Sequence, residues 1–264
     1  MSGTSAATTS ELRKLAHVLG VDVGRLSSLS GVPAADLRTL RGQISDALFE
    51  ADRPRFAKVA ALSKAIPVPI AAKVTEHAFP PLLAARTAEL VDPHKASELV
   101  ARLSDTYLAD VSAAMDPARA PAVVASIPAE RIARVGAELA RRGEWIVIAG
   151  FIDHVSGPAL AATVATFTGE QLLRVGFVLD DKTRLDDVAG LVSDEQLDAM
   201  CTAALECDLW PELDDLVANL SVPRIARIST RYAAAHPSLH AAAAQAAANG
   251  TFSAESLGLL AGSG

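Results

Sequence analysis

Asp180, Asp181, Asp186 and Asp187 stand close together in the chain, with Asp194, Glu195 and Asp198 just behind them. Clustered carboxylates suit magnesium, which takes oxygen ligands and keeps most of its waters, so the chemistry read from these four aspartates is weak Mg binding. The same acids would also make a face for a basic protein partner. The plain alternative is a solvated surface, with Asp194 and Glu195 in the first turn of a helix where negative charge complements the dipole.

Other residues point elsewhere. Trp145, Ile148, Phe151, Ile152 and His154 belong to the densest apolar run of the chain. They suit a helix-lined pocket for an apolar, lipid-like small molecule, or else plain core. Asp153 and His154 are neighbours, but adjacent residues on a helix point about 100° apart and do not readily form an acid/base pair. His236 and His240 share a helical face without a third ligand nearby, too few for a zinc site. Cys201 and Cys207 fall on different faces of one helix, which suggests two small hydrophobes rather than a disulfide or metal pair. No G-x-G-x-x-G, P-loop, G-x-S-x-G or H-E-x-x-H occurs, so no sequence motif announces an enzyme.

The stretch Leu15 to Leu29 is similar to a helix-turn-helix of phage-repressor type. Its apolar positions are Leu15, Ala16, Leu19, Val21 and Leu26, and Arg25, Ser27 and Ser28 would face a groove. One cation on a short second helix is little for DNA, and the echo of the pattern at Gly31 reads equally as another helical unit. Nucleic acid is therefore the weaker expectation.

The elements that must position these residues announce themselves by repetition. An apolar residue, then Ser, Thr or Pro, then a helix with apolar residues three or four apart returns at Ile127, Phe167 and Val192, and more faintly at Ile66, Leu103 and Leu220. At an offset of 24 residues, Asp92-Pro93 matches Asp116-Pro117, and Ala96, Leu99, Val100 and Leu103 match Ala120, Val123, Val124 and Ile127. Asp before Pro is an N-cap followed by a favoured first helical residue. Thr168 with Gln171 and Ser193 with Gln196 have capping-box spacing. A returning two-helix unit predicts an all-α stack in which neighbours cover one another's apolar faces. For Trp145 to Val155 we expect a buried helix rather than an isolated strand.

Composition agrees. Half of the 264 residues are apolar, only 4% are aromatic, and the mean hydropathy is +0.27. That excess belongs in a core, an apolar ligand pocket, or an interface between copies of the chain. The longest dense apolar run has 11 residues, short of the roughly 20 needed to span a membrane, and Met1 to Ser10 lacks signal-peptide character. A soluble cytoplasmic protein is the expectation. Charge is uneven: residues 11–73 hold ten Lys/Arg against six Asp/Glu, and residues 170–218 hold three against thirteen. This argues against a nucleic-acid footprint over the whole molecule.

The unit Asp-Pro-x-x-Ala-x-x-Leu/Val-Val-x-x-Leu/Ile-Ser/Pro at Asp92 and Asp116 resembles the cytosolic N-terminal domain of MgtE-type magnesium channels. It is also similar to the middle region of the flagellar motor switch protein. The resemblance covers residues 56–232 and implies a right-handed superhelix of paired short helices. Neither transmembrane helices nor a nucleotide-binding-type regulatory domain follows, so it implies a scaffold or sensor domain used alone. In the channel family acidic side chains at domain junctions bind magnesium, and none can be matched here one for one. The expected order is disordered residues 1–10, an N-terminal helical cap at 11–55, the superhelix at 56–232, and an Ala-rich helix with a flexible tail at 233–264. The expected function is non-enzymatic binding through a groove or the acidic face. The alternatives are an apolar-ligand carrier and a DNA-binding regulator acting through residues 15–29.

Overall fold

A computed structural model describes residues 6–63 and 65–262, apart from the side chains of Asp52, Leu62 and Ser63. Among these residues every regular element is a helix, and no helix is long and apolar enough to cross a membrane. The chain divides into two compact units, Met1–Thr163 and Val164–Gly264.

The first unit opens with α1 (Ala6–Leu19), a 3-10 helix (Val23–Leu29) and α2 (Ala34–Ser63). Helix therefore already covers Ala6 to Ser10, part of the stretch expected to be disordered; residues 1–5 lie outside the described part. Leu12, Leu15 and Leu37 form a small core with Leu26, Leu29, Val32 and Ile44. Beside it the buried carboxylate of Glu11 accepts from Lys14 Nζ at 3.0 Å, Arg38 Nη2 at 3.1 Å and Arg41 Nε at 3.2 Å, which fixes α1 to α2. Helix α2 runs on through Pro54, so the expected boundary at residue 55 falls inside it. Further along α2, Phe49 is buried under two guanidiniums, with Arg86 at 5.3 Å and Arg119 at 4.1 Å from its ring centre, an arrangement that favours the cations electrostatically.

Short helices follow: α3 (Val68–Ala78), α4 (Pro81–Ala88), α5 (Pro93–Val100), α6 (Asp105–Ala113), α7 (Pro121–Ala125), α8 (Ala129–Arg141), α9 (Trp145–Phe151) and α10 (Gly157–Val164). Pro80 and Pro81 break the chain between α3 and α4, as their rigid φ requires. Asp92 caps α5 through the amides of His94 and Lys95, and Asp116 caps the 3-10 turn Pro117–Arg119 through Ala118. Both aspartates of the 24-residue offset are therefore N-caps, but Asp116 opens only a 3-10 turn, and the α-helix after it starts at Pro121 with Ala120 as its N-cap. Packing follows the same beat: α3 lies on α5 and α5 on α7, while α2, α4, α6 and α8 form a second row. The core between rows is built from Ala72, Ala85, Leu103, Tyr107, Leu108 and Val111.

The second unit contains α11 (Gly169–Phe177), α12 (Arg184–Ala189), α13 (Asp194–Glu206), α14 (Trp210–Ala218), α15 (Val222–Ala233), α16 (Pro237–Asn249) and α17 (Ala254–Leu260). Thr168 with Gln171 and Ser193 with Gln196 form both expected capping boxes. Here α11, α13, α15 and α17 stack in sequence. The expected flexible tail is instead ordered through α17, where Leu260 is fully buried, and Phe252 packs on Trp210 with ring centres 5.6 Å apart. The Ala run is anchored as well, since Ala243 and Ala246 are buried.

One residue sets how closely two of these helices approach. A methyl group on Gly169 would overlap the backbone of Ala199 and Met200, and backbone cannot move aside as a flexible side-chain tip can. Gly169→Ala is therefore expected to lower stability by about 1–3 kcal/mol, read as a lower urea midpoint, with helical circular dichroism retained in water.

Candidate functional site

A cleft of about 390 Å³ opens between α13, the end of α15 and the start of α16. Asp198, Cys201, Leu205 and Glu206 supply one wall, from successive turns of α13, and Arg231 and His236 supply the other. Helices α13 and α15 are held in register by ion pairs of one constant offset. Arg227 Nε donates to Asp194 at 2.9 Å and Arg231 Nε donates to Asp198 at 2.7 Å, each pair 33 residues apart. Because both donors and both acceptors are spaced i, i+4, the two helices run parallel.

The electrostatics are those of a braced surface. The Arg231 guanidinium beside Asp198 holds its carboxyl below the usual carboxylate range. Burial pushes the Cys201 thiol up to about 11, so at neutral pH it stays protonated and is a poor nucleophile. His236 uses Nδ1 to accept the Ser238 amide at 3.2 Å as the N-cap of α16. Behind the cleft, Tyr232 is buried against His240 with ring centres 4.7 Å apart, and His240 Nε2 donates to the Tyr232 carbonyl at 2.7 Å. Thr202, Leu205, Glu206, Ala234 and His236 are exposed, giving the opening an apolar ledge flanked by a carboxylate and an imidazole.

The residues singled out in the sequence lie elsewhere. Trp145, Phe151 and His154 are half-buried and Ile148 and Ile152 buried. Trp145 to Phe151 is helical, as expected. The Trp145 ring packs beside Gly143, whose φ of 76° makes the turn into α9. These residues do not line the cleft. The four aspartates are not gathered as a metal site, and among the described residues no group of three or more His, Cys, Asp or Glu side chains is placed to hold a metal ion. Each neighbour is used locally instead. Asp181 accepts from Thr183 N and Oγ1 at 3.0 and 2.7 Å, Asp187 pairs with Arg184 at 2.7 Å, and Asp186 accepts the Ser221 amide at 2.9 Å. Asp180 is half-buried in the turn before α12 and also has a polar partner.

The helix-turn-helix expectation is corrected in its second element. Val23–Leu29 is a 3-10 helix capped by Asp22, too tightly wound and short to present an α-helical recognition face. Arg25, Ser27 and Ser28 are exposed, while Leu26 and Leu29 turn inward to the small N-terminal core.

Comparison with protein-family models, with curated proteins and with solved structures finds no match for this chain. Sequence reasoning noticed Asp198, Cys201 and His236 separately and missed that they share a cleft. The available signal was the doubled offset, Asp194/Asp198 against Arg227/Arg231.

Two outcomes follow from these environments. Folding depresses the Asp198 pKa, so its bridge contributes stability above the unfolded carboxylate value of about 3.9 and loses it as pH falls through the folded value. Asp198→Asn is expected to be less stable than the parent at pH 7, by under about 1 kcal/mol for so exposed a pair, with the gap closing in acid when urea unfolding is followed against pH. A thiol-reactive chromophore at neutral pH is expected to titrate exposed Cys207 promptly and buried Cys201 only after denaturation.

Proposed function

We propose that this chain is a non-enzymatic binding protein, a scaffold of stacked helices that holds a peptide segment of a protein partner in the cleft between α13, α15 and α16. The observation that carries this reading is that three of the reactive side chains lining the cleft, Cys201, Asp198 and His236, are held in structural surroundings. The Cys201 thiol stays protonated, the Asp198 carboxylate is clamped by Arg231, and His236 caps a helix. Catalysis needs a nucleophile or base free to change state, whereas recognition needs fixed polar groups beside apolar surface. Leu205 and Ala234 offer that apolar surface, and Glu206 and His236 the polar points. Stacking of alternate helices within each unit supports the reading of a repeat scaffold, in keeping with the superhelical resemblance drawn from Asp92 and Asp116.

A library of peptides displayed on phage tests the proposal. Peptides enriched on the wild-type chain are expected to lose about tenfold or more in affinity, measured by fluorescence anisotropy, when Leu205→Arg and Ala234→Arg crowd the cleft. Both positions are exposed, so helical content should hold. No enrichment, or binding indifferent to both substitutions, overturns the reading.

A further inference from the structure

The chain holds two asparagines, Asn219 and Asn249, and their surroundings differ. Asn249 is the exposed last residue of α16, and Gly250 after it takes a φ of 75° to turn the chain out of the helix. A side chain placed on Gly250 would meet nothing within 4 Å, so no neighbouring element crowds this corner. Asn219 is the C-cap of α14, and Leu220 after it is buried. Its carboxamide is also engaged, with Nδ2 donating to the Asp215 carbonyl at 2.7 Å.

We infer that Asn249 is a site of spontaneous deamidation and backbone isomerisation, and that the isomerised product loosens α17. Solvent is the co-reactant. The Gly250 nitrogen gives its proton to hydroxide and attacks Cγ of Asn249, an approach that a residue without a side chain permits. A new C–N bond closes a cyclic imide, the Cγ–Nδ2 bond breaks, and Nδ2 leaves as ammonia with a proton from water. Water then reopens the imide. Opening at Cγ gives aspartate. Opening at the backbone carbonyl gives isoaspartate, in which the chain runs through Cβ and Cγ and is one backbone atom longer. In the closed corner Gly250 N donates to the Ala247 carbonyl at 3.1 Å, and Gln245 Nε2 donates to Asn249 Oδ1 at 3.0 Å. Both bonds belong to the last turn of α16, and helix ends open at little cost, so the reaction runs from the frayed turn of a folded chain. Thr251 N and Phe252 N both donate to the Ala246 carbonyl, at 3.0 and 3.3 Å, and Phe252 is buried against Trp210. The extra atom of isoaspartate falls inside the rings these bonds close, directly before the anchor that leads into α17.

Two measurements decide it. The folded protein is aged in mildly alkaline buffer beside a sample held in urea, and both are peptide-mapped by mass spectrometry. Aspartate and isoaspartate are expected at position 249 of the folded chain, forming about ten- to a hundredfold more slowly than in urea, with Asn219 unchanged in the folded sample. Conversion in urea alone, or Asn219 converting as fast as Asn249 in the folded chain, overturns the site. Hydrogen exchange on the separated isoaspartate form is expected to show lost protection over α17. Asn249→Asp carries the same added charge on an ordinary backbone and is expected to keep the parent's protection there. Full protection of α17 in the isoaspartate form, or equal loss in Asn249→Asp, overturns the loosening of α17. Neither readout depends on the peptide cleft.

Discussion

Short helices leave their ends open, and closing those ends is the constraint on which the rest of this architecture depends. A helix of two turns has nearly as many unpaired carbonyls as paired ones, and alone it is not stable in water. The chain meets this with one device used repeatedly. The third residue of α8, Arg131, donates to the carbonyls of Val100 and Leu103 at the end of α5. The third residue of α13, Gln196, donates to Val164 and Phe167 at the end of α10, at 2.8 and 2.9 Å. The third residue of α15, Arg224, sets its guanidinium against Gly190, the C-cap of α12. In the first two cases a later helix supplies carbonyl partners that an earlier helix end lacks, so those ends are closed only when the later helix is in place.

The same logic explains how so many charges sit in a chain that is half apolar. Acids at the start of one helix meet arginines on the helix that stacks beside it. Asp105 pairs with Arg131 and Arg134, Asp110 with Arg142, and Asp194 and Asp198 with Arg227 and Arg231. Each bridge is partly exposed and individually modest. Their value lies in register, because a slip of one turn would leave the outer acid and the outer arginine of such a double pair without partners. Glu138, hydrogen-bonded by both Arg141 and Arg142, has its carboxyl lowered to about 2, so this part of the network persists well into acid. Glu89 is the contrary case. Burial raises its carboxyl pKa despite Arg86 beside it, and there the packing demanded by α4 costs the charge part of its solvation.

The repeat was legible in the sequence because caps are local. Asp-Pro and the Ser/Thr-x-x-Gln boxes specify helix starts from a handful of adjacent residues, and all four expected caps are formed by the side chains that announced them. The buried character of the run after Trp145 was legible for the same reason. Other features were not, because they depend on distant residues. Whether Gly258 to Leu260 frays or packs is decided by the opposing surface of α15, where Ser229 donates to the Leu260 carbonyl at 2.8 Å. Whether Val23 to Leu29 is α or 3-10 is decided by Asp22 capping Gly24 and by Leu26 and Leu29 reaching one small core. The aspartates that lie close along the chain are each taken up by hydrogen bonds and bridges of their own, while Asp198, Arg231 and His236 were gathered by a helix stacking that no short window contains.

The use of these acids in local contacts bears on what the acidic stretch of the chain could recognise. Residues 164–264 hold fourteen Asp/Glu against six Lys/Arg, yet the acids nearest the arginines are spent on caps and bridges. What remains is a net negative charge of 8 on this stretch, with no group of three or more His, Cys, Asp or Glu side chains placed to hold a metal among the described residues. A diffuse field raises the encounter rate of a cationic partner without fixing its pose, and the pose must then come from short-range fit. On the peptide-binding reading proposed above, the cleft beside α13 would supply such fit, with the exposed carboxylate of Glu206 and the exposed Leu205 both lining it. A basic peptide with an apolar residue next to its cation would use both properties at once, drawn by the field and held by the ledge. An acidic peptide would have to work against the first to reach the second.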